Sequence, residues 1–129
     1  MFKDNPVFFS FSVDNLQRAK VFYSQTLGLD VSEMDYMDGL LEVHPAGGGT
    51  VMIYPKEDHI PASFTVLNIT VASVEQAVDD LTKSGVHFEV YDEGDLKTDQ
   101  RGISIGEAPK IAWFKDPAGN ILSMLETPS

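Results

Sequence analysis

The order of apolar and polar positions divides the chain into two halves that predict the same series of elements. In the first half, aromatic and β-branched residues predict a strand over 7–13, and apolar residues at spacings of three and four predict a helix over 16–28. Asp14 or Asn15 is suited to cap this helix, and Gly28 to end it. Three further strands are predicted, at 29–34, 39–45 and 50–55.

The second half repeats the pattern. A strand is predicted over 63–71 and a helix over 73–85, with Ser73 and Gln76 as a capping box and Gly85 as its end. Three strands follow, at 86–90, 110–114 and 121–126. Strand, cap, apolar stripe and terminal glycine recur in register, which favours a true repeat over coincidence.

The repeat predicts an α+β fold of two βαβββ modules in tandem. We expect one domain over 1–129, with a first module over about 1–56, a linker over about 57–62 and a second module over about 63–129. A helix covers one face of each sheet, so the other face must be buried against something or form a pocket. The expected architecture is a curved mixed sheet, a half-barrel with a ligand-sized cleft inside and the helices outside.

Composition excludes several functions. The net charge of −11, from 20 acidic and 9 basic residues, argues against a nucleic-acid partner. The absence of cysteine excludes disulfides, thiolate nucleophiles and cysteine-based zinc sites. No apolar run approaches twenty residues and no signal-peptide pattern is present, so we expect no membrane span and a cytoplasmic location.

Two stretches resemble a known family. "FSVDNLQRAKVFYSQTLGLDV" (11–31) is similar to the opening module of the vicinal oxygen chelate superfamily, which includes glyoxalase I, extradiol dioxygenases and the fosfomycin and bleomycin resistance proteins. "WFKDPAGNILSMLE" (113–126) is similar to its closing hairpin, with the common DP-x-GN turn at 116–120. The resemblance implies paired βαβββ modules around a cleft, usually in a homodimer, and we therefore expect a homodimer.

Enzymes of this family typically hold one divalent metal with four side chains, one on each of four strands. The resemblance carries those positions to Phe8, Ile53 (with an uncertainty of one residue toward Met52), Val66 and Ser123. Phenylalanine, isoleucine and valine have no donor atom, and a neutral serine hydroxyl is a poor ligand for such a cation. The sequence therefore predicts neither a metal nor another cofactor at these positions.

Strand alternation extends this set to a predicted ligand-binding surface. Either Trp113 or Phe114 should face the cleft, depending on the register of the hairpin. The candidate residues are Phe8, Ser10, Ile53, Val66, Asn68, Trp113, Phe114 and Ser123. Their mixture of apolar groups, hydroxyls and an amide suits a small organic ligand, although a cavity filled by its own side chains and water would look the same. The polar stretch 91–107 is either an ordered lid or a disordered loop.

The leading hypothesis is a metal-free protein that sequesters a small organic molecule and is not an enzyme, closer to the bleomycin resistance branch than to glyoxalase. The acidity is compatible with a cationic ligand. No histidine is recognisably placed beside a serine to form a nucleophile–base pair. One alternative is a glyoxalase-like, metal-dependent lyase or isomerase with a relocated site built from Glu42, His44, His87 or Glu89. Another is a structural or regulatory protein that binds a protein partner.

Overall fold

The computed structural model describes residues 1–36, 39–106 and 109–126. The chain separates into two compact units, Met1–Pro61 and Ala62–Ser129, which are described one at a time. Each unit combines a helix with a mixed sheet that has one parallel and at least one antiparallel strand pair. The predicted α+β class is therefore confirmed. None of the helices in the described ranges has the length and apolar character needed to cross a bilayer.

The first unit contains a four-stranded sheet in the order β1-β4-β3-β2. Its strands are β1 (Phe9–Val13), β2 (Val31–Met34), β3 (Leu40–Val43) and β4 (Val51–Pro55). Strands β1 and β4 are parallel, and the other two pairs are antiparallel. This arrangement leaves the outer edges of β1 and β2 without a partner strand among the described residues of the unit.

The first helix begins where the sequence predicts and changes its winding halfway. Helix α1 (Leu16–Val21) is capped by Asn15, whose side-chain oxygen accepts a 3.0 Å hydrogen bond from Arg18 N. It continues as a π-helical turn over Phe22–Thr26, where hydrogen bonds span five residues instead of four. The wider turn accompanies two adjacent buried rings, Phe22 and Tyr23, which would point to different faces of a regular helix.

The second unit contains a three-stranded sheet in the order β5-β9-β8, a helix and a short hairpin. The sheet strands are β5 (Thr65–Val71), β8 (Ile111–Lys115) and β9 (Ile121–Glu126), and the helix is α2 (Val74–Lys83). The hairpin pairs β6 (Asp92–Glu93) with β7 (Leu96–Lys97). The parallel pair is β5 with β9, as β1 with β4 is in the first unit.

The predicted strand over 86–90 is much shorter in the structure. Phe88 forms one isolated β-bridge with Phe114, and the backbone N–H of Glu89 donates to the carbonyl of Trp113. Ile103 forms the next β-bridge along the same edge, with Ala112. Two chain segments therefore share the outer edge of β8, and neither runs its full length.

The predicted loop over 91–107 is partly packed in the structure. Within it, Thr98 and Ile103 are 8% and 4% exposed, whereas the hairpin residues are exposed. Glu107, its last residue, lies outside the described residues.

Helix α2 has half of the predicted capping box. Ser73 Oγ accepts from Gln76 N at 3.1 Å, but the Gln76 side chain donates to Asp80 rather than back to residue 73. Glu126, at the end of β9, accepts from Val74 N at 3.0 Å, where an anion is favoured by the positive end of the helix. The Glu126 side chain therefore points to the helix side of the sheet.

The turn between β8 and β9 is organised by one buried carboxylate. Asp116, 4% exposed, accepts hydrogen bonds from the backbone N–H groups of Ala118 and Asn120 and from the Asn120 side chain, at 2.9–3.1 Å. Gly119 has a φ of 87°, which favours glycine. The turn fixes the register in which β8 meets β9.

Candidate functional site

The register of the first sheet decides which predicted residues face the helix. Phe11, Ile53 and Leu41 lie opposite one another across β1, β4 and β3, so their side chains share one face. The Phe11 ring lies 5.9 Å from that of Tyr23, which identifies this face as the one covered by the helical segment. Ile53, predicted as a ligand-facing residue, is 0% exposed and belongs to this core.

The opposite, open face of the first sheet carries Met52, the neighbour of Ile53 on β4. Ser10, Met52 and Glu42 form one row across the same three strands. Met52 is the neighbour to which the prediction allowed a shift of one residue, and that shift reverses the face. Phe8, just before β1, is 58% exposed.

A cavity of about 350 Å³ lies on this part of the first unit. It is lined by Pro6, Val7, Phe8, Glu42, Gly49, Thr50 and Met52. Two of the residues at or beside the predicted positions, Phe8 and Met52, therefore contribute to a concave and mainly apolar surface. Ser10 lies in the same row of the sheet but is not among the lining residues.

Two serine–histidine contacts were not found by sequence reasoning. Ser12 Oγ lies 2.7 Å from His59 Nδ1, and Ser32 Oγ lies 2.9 Å from His44 Nε2. The first pair is separated by 47 positions, so no local pattern indicates it. It joins the segment after β4 to the end of β1, and the second pair joins β2 to the residue after β3.

The open face of the second sheet brings together three predicted residues. Asn68, Ser123 and Trp113 form one row across β5, β9 and β8. The Ser123 hydroxyl, 1% exposed, donates to the Asn68 amide oxygen at 2.6 Å. Asn68 is exposed, and within the described part of the chain its amide nitrogen makes no hydrogen bond. Its two N–H groups are therefore available to a ligand or to water.

The hairpin register also separates Trp113 from Phe114. Phe114 lies opposite Leu122 on the other face, is 0% exposed and contacts the Phe88 ring at 5.4 Å. It is therefore a core residue of the second unit. Trp113, in the row of Ser123, is the aromatic residue on the open face.

Tyr91 adds a second ring to this face, which the sequence analysis did not select. Its ring meets Trp113 edge-on, with centroids 5.6 Å apart and planes at 80°. Burial raises the pKa of the Tyr91 hydroxyl, the Glu89 charge raises it further, and Lys115 opposes both. The hydroxyl is therefore neutral at physiological pH and can donate or accept a hydrogen bond.

Val66 lies at an irregularity in β5. Thr65 lies opposite Ile121 and Leu67 opposite Leu122, so two steps along β5 match one step along β9 and Val66 is the extra residue. The alternation that predicts Val66 on the face of Asn68 is interrupted at this bulge. Val66 is half-buried.

These residues do not fit the divalent metal of the family's enzymes. At or beside the positions to which the family resemblance assigns metal ligands stand Phe8, Met52, Val66 and Ser123. They offer a thioether and a hydroxyl that already donates a hydrogen bond to the Asn68 amide, but no carboxylate or imidazole. In the ranges that the structure describes, no three His, Asp or Glu side chains are grouped so that they could hold a metal ion.

Two of the four residues proposed for a relocated site make other contacts. His44 lies beside Ser32, and Glu89 forms an ion pair with Lys115 at 3.2 Å.

The chain is similar to a known family over most of its length. The family model described as "Glyoxalase/Bleomycin resistance protein/Dioxygenase superfamily" matches residues 6–124. No curated protein is significantly similar in sequence.

Many solved structures share the fold. TnmS3, an antibiotic binding protein from Streptomyces sp. CB03234, has a TM-score of 0.68 at 22% identity, covering 97% of this chain and 98% of that one. A glyoxalase family protein from Enterococcus faecalis has a TM-score of 0.68 at 21% identity, covering 98% and 100%. A member of the glyoxalase/bleomycin resistance protein/dioxygenase superfamily from Sphaerobacter thermophilus DSM 20745 has a TM-score of 0.68 at 21% identity, covering 94% of this chain and 97% of that one.

Proposed function

The chain belongs to the glyoxalase/bleomycin resistance protein/dioxygenase superfamily, and on that premise we propose that it binds a small organic molecule without a metal. The observation that carries the proposal is that Phe8, Met52, Val66 and Ser123, at or beside the positions to which the family resemblance assigns metal ligands, offer no carboxylate or imidazole. Phe8 and Met52 line a cavity of about 350 Å³, within the usual range for small-molecule pockets.

The ligand-facing residues proposed here differ from the predicted set at two positions. They are Phe8, Ser10 and Met52 in the first unit, and Val66, Asn68, Trp113 and Ser123 in the second. Met52 replaces Ile53, and Phe114 is omitted, because Ile53 and Phe114 lie on the opposite faces of their sheets, among core residues. On the second unit, Trp113 supplies a ring, and the Asn68 amide nitrogen makes no hydrogen bond among the described residues, so this surface suits a hydrophobic body with one or two polar groups.

In this proposal binding is itself the function, and the protein withholds its ligand from other targets. The antibiotic-binding description of TnmS3 supports a ligand of that kind. The proposal also includes a homodimer, which the family resemblance implies, and a cytoplasmic location.

A thermal-shift screen of small molecules, antibiotics among them, tests the proposal. A ligand that binds only the folded protein raises its melting temperature in proportion to the logarithm of its concentration. Trp113 is the only tryptophan, so its fluorescence provides a second readout for each hit. Trp113→Phe should weaken binding, whereas Tyr36→Phe, at a tyrosine that is 65% exposed, should not.

Two results would contradict the proposal. One is a stoichiometric divalent metal in the purified protein that only a chelator removes. The other is metal-dependent turnover of the methylglyoxal–glutathione adduct that is lost when His44 or His87 is replaced.

A further inference from the structure

The cavity of the first unit contains a single ionisable group among its described lining residues, Glu42. Glu42 lies on β3 in the row of Met52, so its side chain is on the open face, and the residue is half-buried. No hydrogen bond or ion pair of its carboxylate is found among the described residues. In contrast, Glu33 on the adjacent strand is paired with Lys20 at 2.6 Å.

The surroundings of Glu42 are mainly apolar. Phe8, Val7, Pro6 and Met52 supply a ring, aliphatic surface and a thioether, and the lining contains no lysine or arginine. A carboxylate on such a wall loses part of its hydration when an apolar body fills the cavity, and a cation on that body compensates the loss. An aromatic face such as that of Phe8 also attracts a cation. An anionic group on the ligand would instead be repelled by the Glu42 carboxylate, and no cationic side chain among the described lining residues would offset that repulsion.

We propose that this cavity selects organic cations, with an ammonium group at Glu42 and an apolar body against Phe8 and Met52. The inference rests on the proposed function and adds the charge class of the ligand. The volume, near the lower limit of small-molecule pockets, suits a compact amine or the cationic part of a larger molecule. The net charge of −11 attracts any cation from a distance, whereas Glu42 provides selection at one place.

Three probes with the same ring system and different charges test the inference: 2-naphthylmethylamine, 2-naphthylmethanol and 2-naphthoate. Binding is followed through the methyl NMR signals of the methionines, because Met52 lines the cavity whereas Met124, 2% exposed, belongs to the core of the second unit. We expect the amine to bind about tenfold more tightly than the alcohol, as a charge-assisted hydrogen bond provides, and the carboxylate to bind most weakly.

Glu42→Gln keeps the size of the side chain and removes its charge, so the preference for the amine over the alcohol should fall to about unity. Glu57→Gln is the matched control: it removes one charge from an exposed position of the same unit and should leave the preference unchanged.

The possible results separate this inference from the proposed function. Equal binding of amine and alcohol to the wild-type protein would reject the inference and leave an organic ligand at this cavity. If Glu57→Gln lowers the preference for the amine as much as Glu42→Gln does, the preference is due to net charge alone and the inference is rejected. If none of the probes moves the Met52 signal, both the cation selectivity and the organic ligand are rejected for this cavity.

Discussion

Ser123 stands at the position to which the family resemblance assigns a metal-binding glutamate, and its surroundings suit a small neutral donor. The side chain is 1% exposed, and its hydroxyl donates to the Asn68 oxygen. We expect Ser123→Glu to lower the free energy of unfolding by about 3 kcal/mol, because it buries a charge facing an acceptor. Urea unfolding at neutral pH measures the loss.

Ser123→Ala separates the charge from the lost hydrogen bond in that experiment. Because Asn68 is exposed and can bond to water instead, the alanine variant should lose only about 1 kcal/mol. Manganese should not rescue Ser123→Glu. A glutamate variant that is as stable as wild type, or that manganese stabilises, would show that the position still accepts a metal ligand.

Tyr91 makes stability depend on pH at the alkaline end. Its folded-state pKa is raised, first by burial and then by the Glu89 charge, so its ionisation is easier in the unfolded chain. The contribution of Tyr91 is therefore complete below the unfolded value of about 10 and is lost as pH rises through the folded-state pKa. Tyr91→Phe should reduce the fall in the urea midpoint above about pH 10.

Tyr36→Phe provides the control, since it removes another tyrosine, one that is 65% exposed. The alkaline fall in stability should be retained in this variant. Unchanged pH dependence in Tyr91→Phe would mean that the phenol is as well hydrated in the folded protein as in the unfolded chain.

At the scale of the structural elements, the turn between β8 and β9 depends on the Asp116 side chain. Asp116→Ala removes the acceptor of three hydrogen bonds, two of them donated by Asn120, a residue that is 2% exposed. We expect a loss of about 2–3 kcal/mol, with Asp116→Asn intermediate because its amide oxygen can still accept from the backbone. Hydrogen exchange at Asn120 should accelerate.

The same substitution in another turn gives the comparison. Asp95→Ala changes an exposed aspartate in the short hairpin of the second unit and should stay within about 0.5 kcal/mol of wild type. If Asp116→Ala were equally mild, the buried carboxylate would not be what holds the turn.

The elements that the sequence predicts best are those whose signals are local. Strand β9 has the predicted limits, and both helices begin at the predicted caps, because period, cap and terminal glycine are all read within a few residues. The shortened strand near Phe88 has a non-local cause, since Ile103 competes for the same edge. The bulge at Val66 likewise appears only when β9 is paired with β5.

The site was harder to predict than the fold because a face depends on a single residue of register. Ile53 and Met52 are neighbours, yet one is core and the other lines the cavity. Trp113 and Phe114 differ in the same way, and only the pairing with β9 decides between them. Tyr91 escaped selection because its contact with Trp113 joins an irregular segment to a strand.

For the whole molecule, the net charge of −11 and the proposed absence of the family's metal ligands lead to one joint prediction. Sodium chloride should raise the melting temperature, because it screens the repulsion among the carboxylates. Manganese or nickel chloride at the same ionic strength should raise it only slightly more, through diffuse attraction to an acidic surface. A specific metal site would instead add about 4 kcal/mol to the free energy of unfolding when the metal concentration is a thousand times the dissociation constant.

Two histidine variants make this comparison decisive between a metal-free protein and one with a relocated metal site. If manganese or nickel stabilises the protein well beyond the salt effect, and His44→Ala or His87→Ala abolishes the excess, the metal-free proposal is rejected in favour of a site at that histidine. If the excess is absent from wild type and both variants, metal-free binding is retained. The His44 variant also removes the contact with Ser32, so its melting temperature without metal is the reference for its own titration.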